Sequence, residues 1–154
     1  MKLAGGGSAA NTIVIVAQLG GQSFYSCKVA NDKTGDFFMK DLGEAGVDTN
    51  LDDNRESGVT GECISIVTPD AERTMLTHLG ITQTLSVNEL SSDALVNSKF
   101  LYIEGYLVSS PTGFEAALKA QSIARDAGVS VTLTLSDPAM VENFRNGFQQ
   151  IISQ

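Results

Sequence analysis

The run Gly5-Gly6-Gly7-Ser8-Ala9-Ala10-Asn11 holds the chain's densest set of groups fit for chemistry. Consecutive glycines let a backbone approach a ligand closely and accept positive φ. A helix is predicted to follow at once, so free N–H groups would project from its first turn. The Asn11 carboxamide both donates and accepts. Such a mixture suits hydroxyl groups, which also do both. The same residues would serve equally as a tight turn with Asn11 facing water, and the local pattern leaves both readings open. Gly5, Gly7 and Ala10 also satisfy G-x-G-x-x-A, the spacing of NAD-type dinucleotide-binding loops. That spacing needs a strand before it, and only Met1 to Ala4 is available. Asp32 lies near the distance expected of a ribose-binding acid. A P-loop is excluded, because no Gly-Lys-Ser/Thr follows.

Other polar residues are weighed by position. Glu104, Gly105 and Tyr106 follow a predicted strand, and ligands collect at the carboxyl ends of parallel strands. Glu62, Asp70, Glu72 and Arg73 read as the solvated edge of a hairpin. His78, the single histidine, reads as a hairpin residue without identifiable triad partners. Ser136-Asp137-Pro138 reads as a helix cap rather than a catalytic group. Cys27 and Cys63 match neither a metal spacing nor a disulfide framework. Both are expected as buried thiols.

The elements that must position these groups alternate between helix and strand. Ala9 to Leu19 reads as a helix stopped by Gly20-Gly21. Ser23 to Val29 reads as a strand. Asn31-Asp32 offers an N-cap for a helix from Lys33 to Ala45, with Gly46 as its stop. Residues 47 to 57 read as polar and turn-rich. Val59 to Thr68 and Arg73 to Leu79 read as a hairpin turning at Thr68-Pro69-Asp70-Ala71. Phe100 to Ile103 is a predicted strand, and Ser110-Pro111 a helix start. A small-residue stripe from Ala116 to Ala127 follows, ended by Gly128. Val131 to Leu135 is the next strand, and Asp137-Pro138 opens a short helical region up to the C-terminus. Strand–helix–strand units imply parallel strands. The hairpin does not fit that pattern and reads as a flap beside the sheet.

The 154 residues suit one domain, with 42% hydrophobic and 18% charged residues. A chain of this size can bury roughly 70% of its unfolded surface. The net charge of -8 makes nucleic acid and anionic membrane poor partners. No apolar run reaches a membrane span. Met1 to Ala10 lacks the apolar middle of a signal peptide, so the expected location is cytoplasmic.

Taken together, the motifs resemble one family. G-G-S-A-A-N-T followed by A-Q-L-G-G resembles the N-terminal signature of the ribokinase, or PfkB, family of carbohydrate kinases. Lys28-Val29, Asn31-Asp32 and Gly35, then Ala45-Gly46-Val47-Asp48, are similar to its G-K-V-G-x-D-x-x-G segment and later G-V-D. Thr60-Gly61-Glu62-Cys63 and Pro69 to Thr74 are similar to its lid hairpin. Ile103-Glu104-Gly105-Tyr106-Leu107 and Leu133 to Pro138 resemble the adenosine-kinase-like branch.

The resemblance implies an α/β, three-layer, ribokinase-like (Rossmann-like) parallel sheet with a small β-hairpin lid at about residues 57–79. It implies transfer of the γ-phosphoryl of Mg-ATP to a hydroxyl of a sugar or nucleoside. Gly6, Gly7, Ser8 and Asn11 would hold substrate hydroxyls, and Cys63, Leu79 and Tyr106 would cover the sugar or base. The family's G-N-x-x-x-D strand would precede Met1. Its A-N-E-x-E and D-x-x-G-A-G-D segments and its ATP site would follow Gln154. Residues 1–154 are therefore expected as the substrate-binding part of an incomplete domain, inactive alone. Uncovered sheet edges or the lid would then promote self-association. An NAD-type dinucleotide-binding module and a non-catalytic interaction domain are the rival expectations.

Overall fold

Three glycine stops shape the helices of the computed structural model, which describes residues 3–154. Helix α1 (Ser8–Gln18) ends where Gly20 takes φ 86 and Gly21 N–H reaches back to Val16 O at 2.9 Å. Helix α2 (Lys33–Glu44) ends the same way at Gly46, with Val47 N–H on Leu42 O. Helix α4 (Pro111–Asp126) repeats it at Gly128, with Val129 N–H on Ala124 O. In each, a residue in the left-handed region turns the chain back on its own last carbonyls. All three stops fall where the glycines predict them.

Two strand–helix–strand units result. Strand β1 (Phe24–Tyr25) leads through α2 to β2 (Asp48–Thr49), and the strands pair in parallel. Strand β5 (Phe100–Ile103) leads through α4 to β6 (Ser130–Leu133), again in parallel. Between the units stands the antiparallel hairpin of β3 (Glu62–Val67) and β4 (Arg73–His78). A short helix α3 (Ser92–Val96) precedes β5, and α5 (Pro138–Ser153) closes the chain. The parallel sheet is thus present as two separate two-stranded ladders among the described residues. Leu3 and Ala4 form no strand. Met1 and Lys2, the rest of the stretch a dinucleotide loop would need, lie outside the described residues.

Each unit has its own core. Ile103, Val108, Ala117, Met140, Phe148 and Ile151 pack together where α4 and α5 cover one face of β5–β6. Ala116, Ala117, Ala120 and Ala124 are almost wholly buried, which small side chains allow because the helix can lie close. The other face of the ladder is open, with Phe100 67% exposed. In the first unit Cys27, Leu42 and Val47 form the core, with Tyr25 and Phe38 packed on them.

Several predicted strands are shorter than expected. The Ser23 to Val29 run yields only Phe24–Tyr25, because β2 is itself two residues long. The ladder continues through a side chain instead. Asn50 Oδ1 accepts from Cys27 N–H at 2.8 Å, and Asn50 Nδ2 donates to Cys27 O at 2.9 Å. The hairpin strands also stop short of the predicted span. Their turn is as read: Ala71 N–H bonds Thr68 O at 2.9 Å, and Ala71 sits at φ 66. That is a type I turn followed by a left-handed residue, a common hairpin closure.

The hairpin is held at its base by one carboxylate. Asp32 caps α2 by accepting from Gly35 N–H at 2.7 Å. It also accepts from the Thr60 hydroxyl at 2.6 Å and the Thr60 amide at 2.8 Å. Thr60 Oγ1 in turn accepts from Ala30 N–H at 3.0 Å. Partial burial works against ionisation of Asp32, but the Thr60 and Gly35 donors and the Arg55 guanidinium outweigh it and hold the carboxyl below its ordinary value.

Asp32→Ala is expected to lower the unfolding free energy by about 2–4 kcal/mol, the loss of the Gly35 cap plus a stranded Thr60 amide. Urea titration measures this. The folded carboxyl has the lower pKa, so its contribution is complete above the unfolded value of 3.8 and fades as pH falls through the folded value. Wild type should therefore lose stability in acid more steeply than Asp32→Asn.

Candidate functional site

The first turn of α1 opens without a side-chain cap. Gly7 is the N-cap at φ 111, and no side chain accepts from the amides behind it. Gly6, Gly7 and Ser8 are exposed. The conformation at Gly7 is one L side chains rarely adopt. Asn11 lies one turn further on, exposed, with its amide donating to Gly7 O at 2.9 Å. Gly5 passes so close to α2 that a Cβ there would meet Asp41 Oδ2 at 2.1 Å. Gly5, Gly6, Asn11, Val14, Phe38 and Asp41 help to line a cavity of about 60 Å³. Ligand pockets run to roughly 300–1,000 Å³, so this gap is too small for a sugar.

A second polar group gathers beyond the ends of β5 and β6. Thr134 N–H extends the ladder to Ile103 O at 3.1 Å. Past that point the two loops run together. Ser136 Oγ donates to Glu104 Oε1 at 2.6 Å. Tyr106 Oη donates to Asp137 Oδ2 at 2.7 Å. Asp137 Oδ1 accepts from Met140 N–H at 3.0 Å, the cap predicted for α5. Gly105 makes this proximity possible, since a Cβ there would meet Thr134 O at 2.4 Å. The hydrogen bond to Asp137 pushes the Tyr106 phenol up and holds the Asp137 carboxyl down.

The Glu104 carboxylate is within electrostatic reach of Tyr25 on β1. The Tyr25 phenol is pushed well above its ordinary value, chiefly by burial, with Cys27 and the Glu104 carboxylate adding to it. Burial also pushes the Cys27 thiol up to about 12. Cys27 is thus an inert core residue, as expected. The same expectation fails for Cys63, which is exposed on β3 because no layer covers either face of the hairpin. The Thr77 hydroxyl donates to its sulfur at 3.3 Å. Leu79 stands at the hairpin base, half exposed, just before a turn of 3₁₀ helix at Gly80–Thr84.

The candidate residues therefore occupy three places: Gly6, Gly7, Ser8 and Asn11 at the mouth of α1; Cys63 and Leu79 on the hairpin; Tyr106 beyond β5. Among the described residues no hydrogen bond or ion pair joins the three. Asp32 is engaged by Thr60 and Gly35, which removes it as a ribose-binding acid. A larger hollow of about 250 Å³ borders Lys28, Asn50, Arg55, Glu56 and Glu89. Its cations are already paired: Lys28 with Glu56 and Glu89, and Arg55 with Asp36. Among the described residues no three His, Cys, Asp or Glu side chains gather to hold a metal ion.

The model of the pfkB family carbohydrate kinases matches residues 1–154. The chain belongs to that family. It is 32% identical over 133 residues to a 5-dehydro-2-deoxygluconokinase of Shouchella clausii, across 84% of this chain and 41% of that protein. It is 30% identical over 137 residues to a ribokinase of Mus musculus, across 89% and 41%. Among solved structures, adenosine kinase from Sinorhizobium meliloti superimposes with a TM-score of 0.88 at 36% identity, covering 95% of this chain and 45% of that one. The fold is thus the ribokinase-like α/β fold, and the pfkB chain spans less than half the length of these relatives.

Sequence reading missed the Ser136–Glu104 and Asp137–Tyr106 pairs. Asp137 carried a signal, but for its capping role alone. Nothing local to Ser136 points to a partner 32 residues away. A spectrophotometric titration should place Tyr106 above the ordinary tyrosine value of 10.0, read as the difference from Tyr106→Phe. Asp137→Asn should return it toward that value, because the charge that opposes ionisation is gone.

Proposed function

We propose that this pfkB chain is the acceptor-binding part of a kinase that phosphorylates a hydroxyl of a sugar or nucleoside. The observation that carries the reading is the uncapped, exposed first turn of α1 behind Gly6 and Gly7, with Asn11 one turn inside. Bare amides and a carboxamide suit a neutral polyol. Glu104, a carboxylate at the carboxyl end of a parallel strand, would accept from further hydroxyls. Tyr106, Cys63 and Leu79 would wall the sugar or base. The small volume of both hollows fits an acceptor bound on an open surface that the hairpin would cover. In this reading the protein is cytoplasmic.

Mg-ATP would be the phosphoryl donor of the whole protein. Phosphoryl transfer depends on positioning and charge stabilisation around the donor. Residues 1–154 cover less than half the length of the relatives, and alone they are expected to give no ATP-dependent turnover.

Asn11→Ala in the whole kinase should cost roughly 1–3 kcal/mol of acceptor binding, about 5- to 150-fold in affinity. Acceptor KM, with ribose, fructose and adenosine as probes, reads the change. An unaltered KM on a phosphorylated probe sinks the assignment of Asn11. Saturable binding of NAD in calorimetry, with no response to the three probes, would favour the dinucleotide-binding alternative.

Self-association is part of the same reading. Ile64, Ile66 and Leu76 on one face of the hairpin, and Val67 and Met75 on the other, are about half exposed or more. A lone two-stranded ribbon is marginal in water. Light scattering of the chain should give a mass above its 16.2 kDa monomer, and Ile64→Lys with Ile66→Lys should restore the monomer. A clean monomer at high concentration contradicts the prediction.

A further inference from the structure

Ser136 is one of two residues other than glycine, among those described, that sit at positive φ. Its φ is 65, in the left-handed region where a Cβ is disfavoured. Glycine would be the relaxed choice at that position, yet a serine occupies it. The serine hydroxyl is committed. It donates to Glu104 Oε1 at 2.6 Å, while the Tyr102 phenol stands 3.5 Å from Glu104 Oε2. The Ser136 amide is itself held by Thr134 Oγ1 at 3.2 Å. The next residue, Asp137, takes the Tyr106 hydroxyl. Consecutive residues of one loop thus grip two near-consecutive residues of the other, and Gly105 between them leaves no room for a side chain.

We infer that Ser136 is a positioning residue, which holds the Glu104 carboxylate in a single orientation toward the acceptor's hydroxyls. The inference rests on the acceptor-binding reading above. A free carboxylate rotates about its terminal bond, and both oxygens present four acceptor sites. With Oε1 taken by the Ser136 hydroxyl and the Tyr102 hydroxyl at the long distance of 3.5 Å from Oε2, the lone pairs of Oε2 that remain would face the acceptor. A hydroxyl from the protein also spares the carboxylate one of its bonds to water, so less solvent must be removed when the acceptor arrives. The bond is to an ionised oxygen, the stronger kind of hydrogen bond. A left-handed serine at this point is then explained by its partner, since the backbone turn aims Oγ at Glu104.

The test is Ser136→Gly in the whole kinase, with ribose, fructose and adenosine as acceptor probes. Glycine accepts φ 65 freely, so the variant keeps the fold and removes only the hydroxyl. Acceptor KM should rise about 3- to 30-fold, with the KM for ATP and the melting temperature held or improved. Ser136→Ala should raise KM equally but lower the melting temperature, because its Cβ keeps the strain. Glu104→Gln serves as the reference. If Glu104→Gln raises acceptor KM at least tenfold while Ser136→Gly shifts it less than twofold, the positioning role is wrong and the acceptor site stands. If Glu104→Gln leaves KM unchanged, or no probe is phosphorylated, the acceptor-binding reading fails and the inference falls with it. A fall in melting temperature with unchanged KM in Ser136→Gly assigns the serine a purely structural part and also overturns the inference.

Discussion

The hairpin stands or falls with the Asp32 carboxylate. Its two oxygens take the Gly35 amide, the Thr60 amide and the Thr60 hydroxyl. One side chain therefore ends the solvent exposure of a helix start and pins the segment that rises into β3. Charge-assisted bonds of this kind are stronger than neutral ones, and the strands they support add little. Both strands are exposed along their whole length. Further ties reach the same base: Thr34 Oγ1 to Glu62, Ile81 N–H to Val59 O, and Thr82 Oγ1 to Lys28 O. The flap is thus bonded to the body at its root and solvent-exposed along its arms.

The two parallel ladders show the opposite economy. Each is short and leans on a helix for stability. The β5–β6 ladder is packed on one face and open on the other, where Phe100 is exposed. Gly105 lets the loops beyond β5 and β6 touch, and the Ser136 and Asp137 side chains convert the touch into fixed geometry for Glu104 and Tyr106. The mouth of α1 supplies a different chemistry, donors without charge. Glu104 thus offers carboxylate acceptors on one loop, and the mouth of α1 offers bare amide donors on another.

Much of this was legible in the residues. Gly20, Gly46 and Gly128 mark helix ends because only a left-handed residue closes the last turn so tightly. Asp32 and Asp137 read as caps because their positions before Lys33 and Pro138 leave few other roles. The hairpin was visible from Pro69-Asp70 between two apolar arms. Strand β5 has the predicted bounds, but other strand lengths were not legible, since β-pairing depends on a partner distant in the chain, and β2 carries only two residues amid polar neighbours. Cys63 was misjudged for the same reason: apolar alternation announces a strand but does not say whether a layer covers it. The glycine–serine run was readable as an uncapped helix start, and no local signal ties it to Glu104, nearly a hundred residues further along the chain.

The Asn50 side chain carries a wider implication. A rung made from main-chain atoms is open to every residue but proline, which lacks the N–H, and survives most substitutions. The rung at Cys27 is made by a carboxamide, so it exists only while position 50 is asparagine. The length of the first ladder is therefore written in a codon rather than in the backbone. A single nucleotide change can shorten it without moving any strand, which gives evolution a fine adjustment on how firmly the first unit is sewn together.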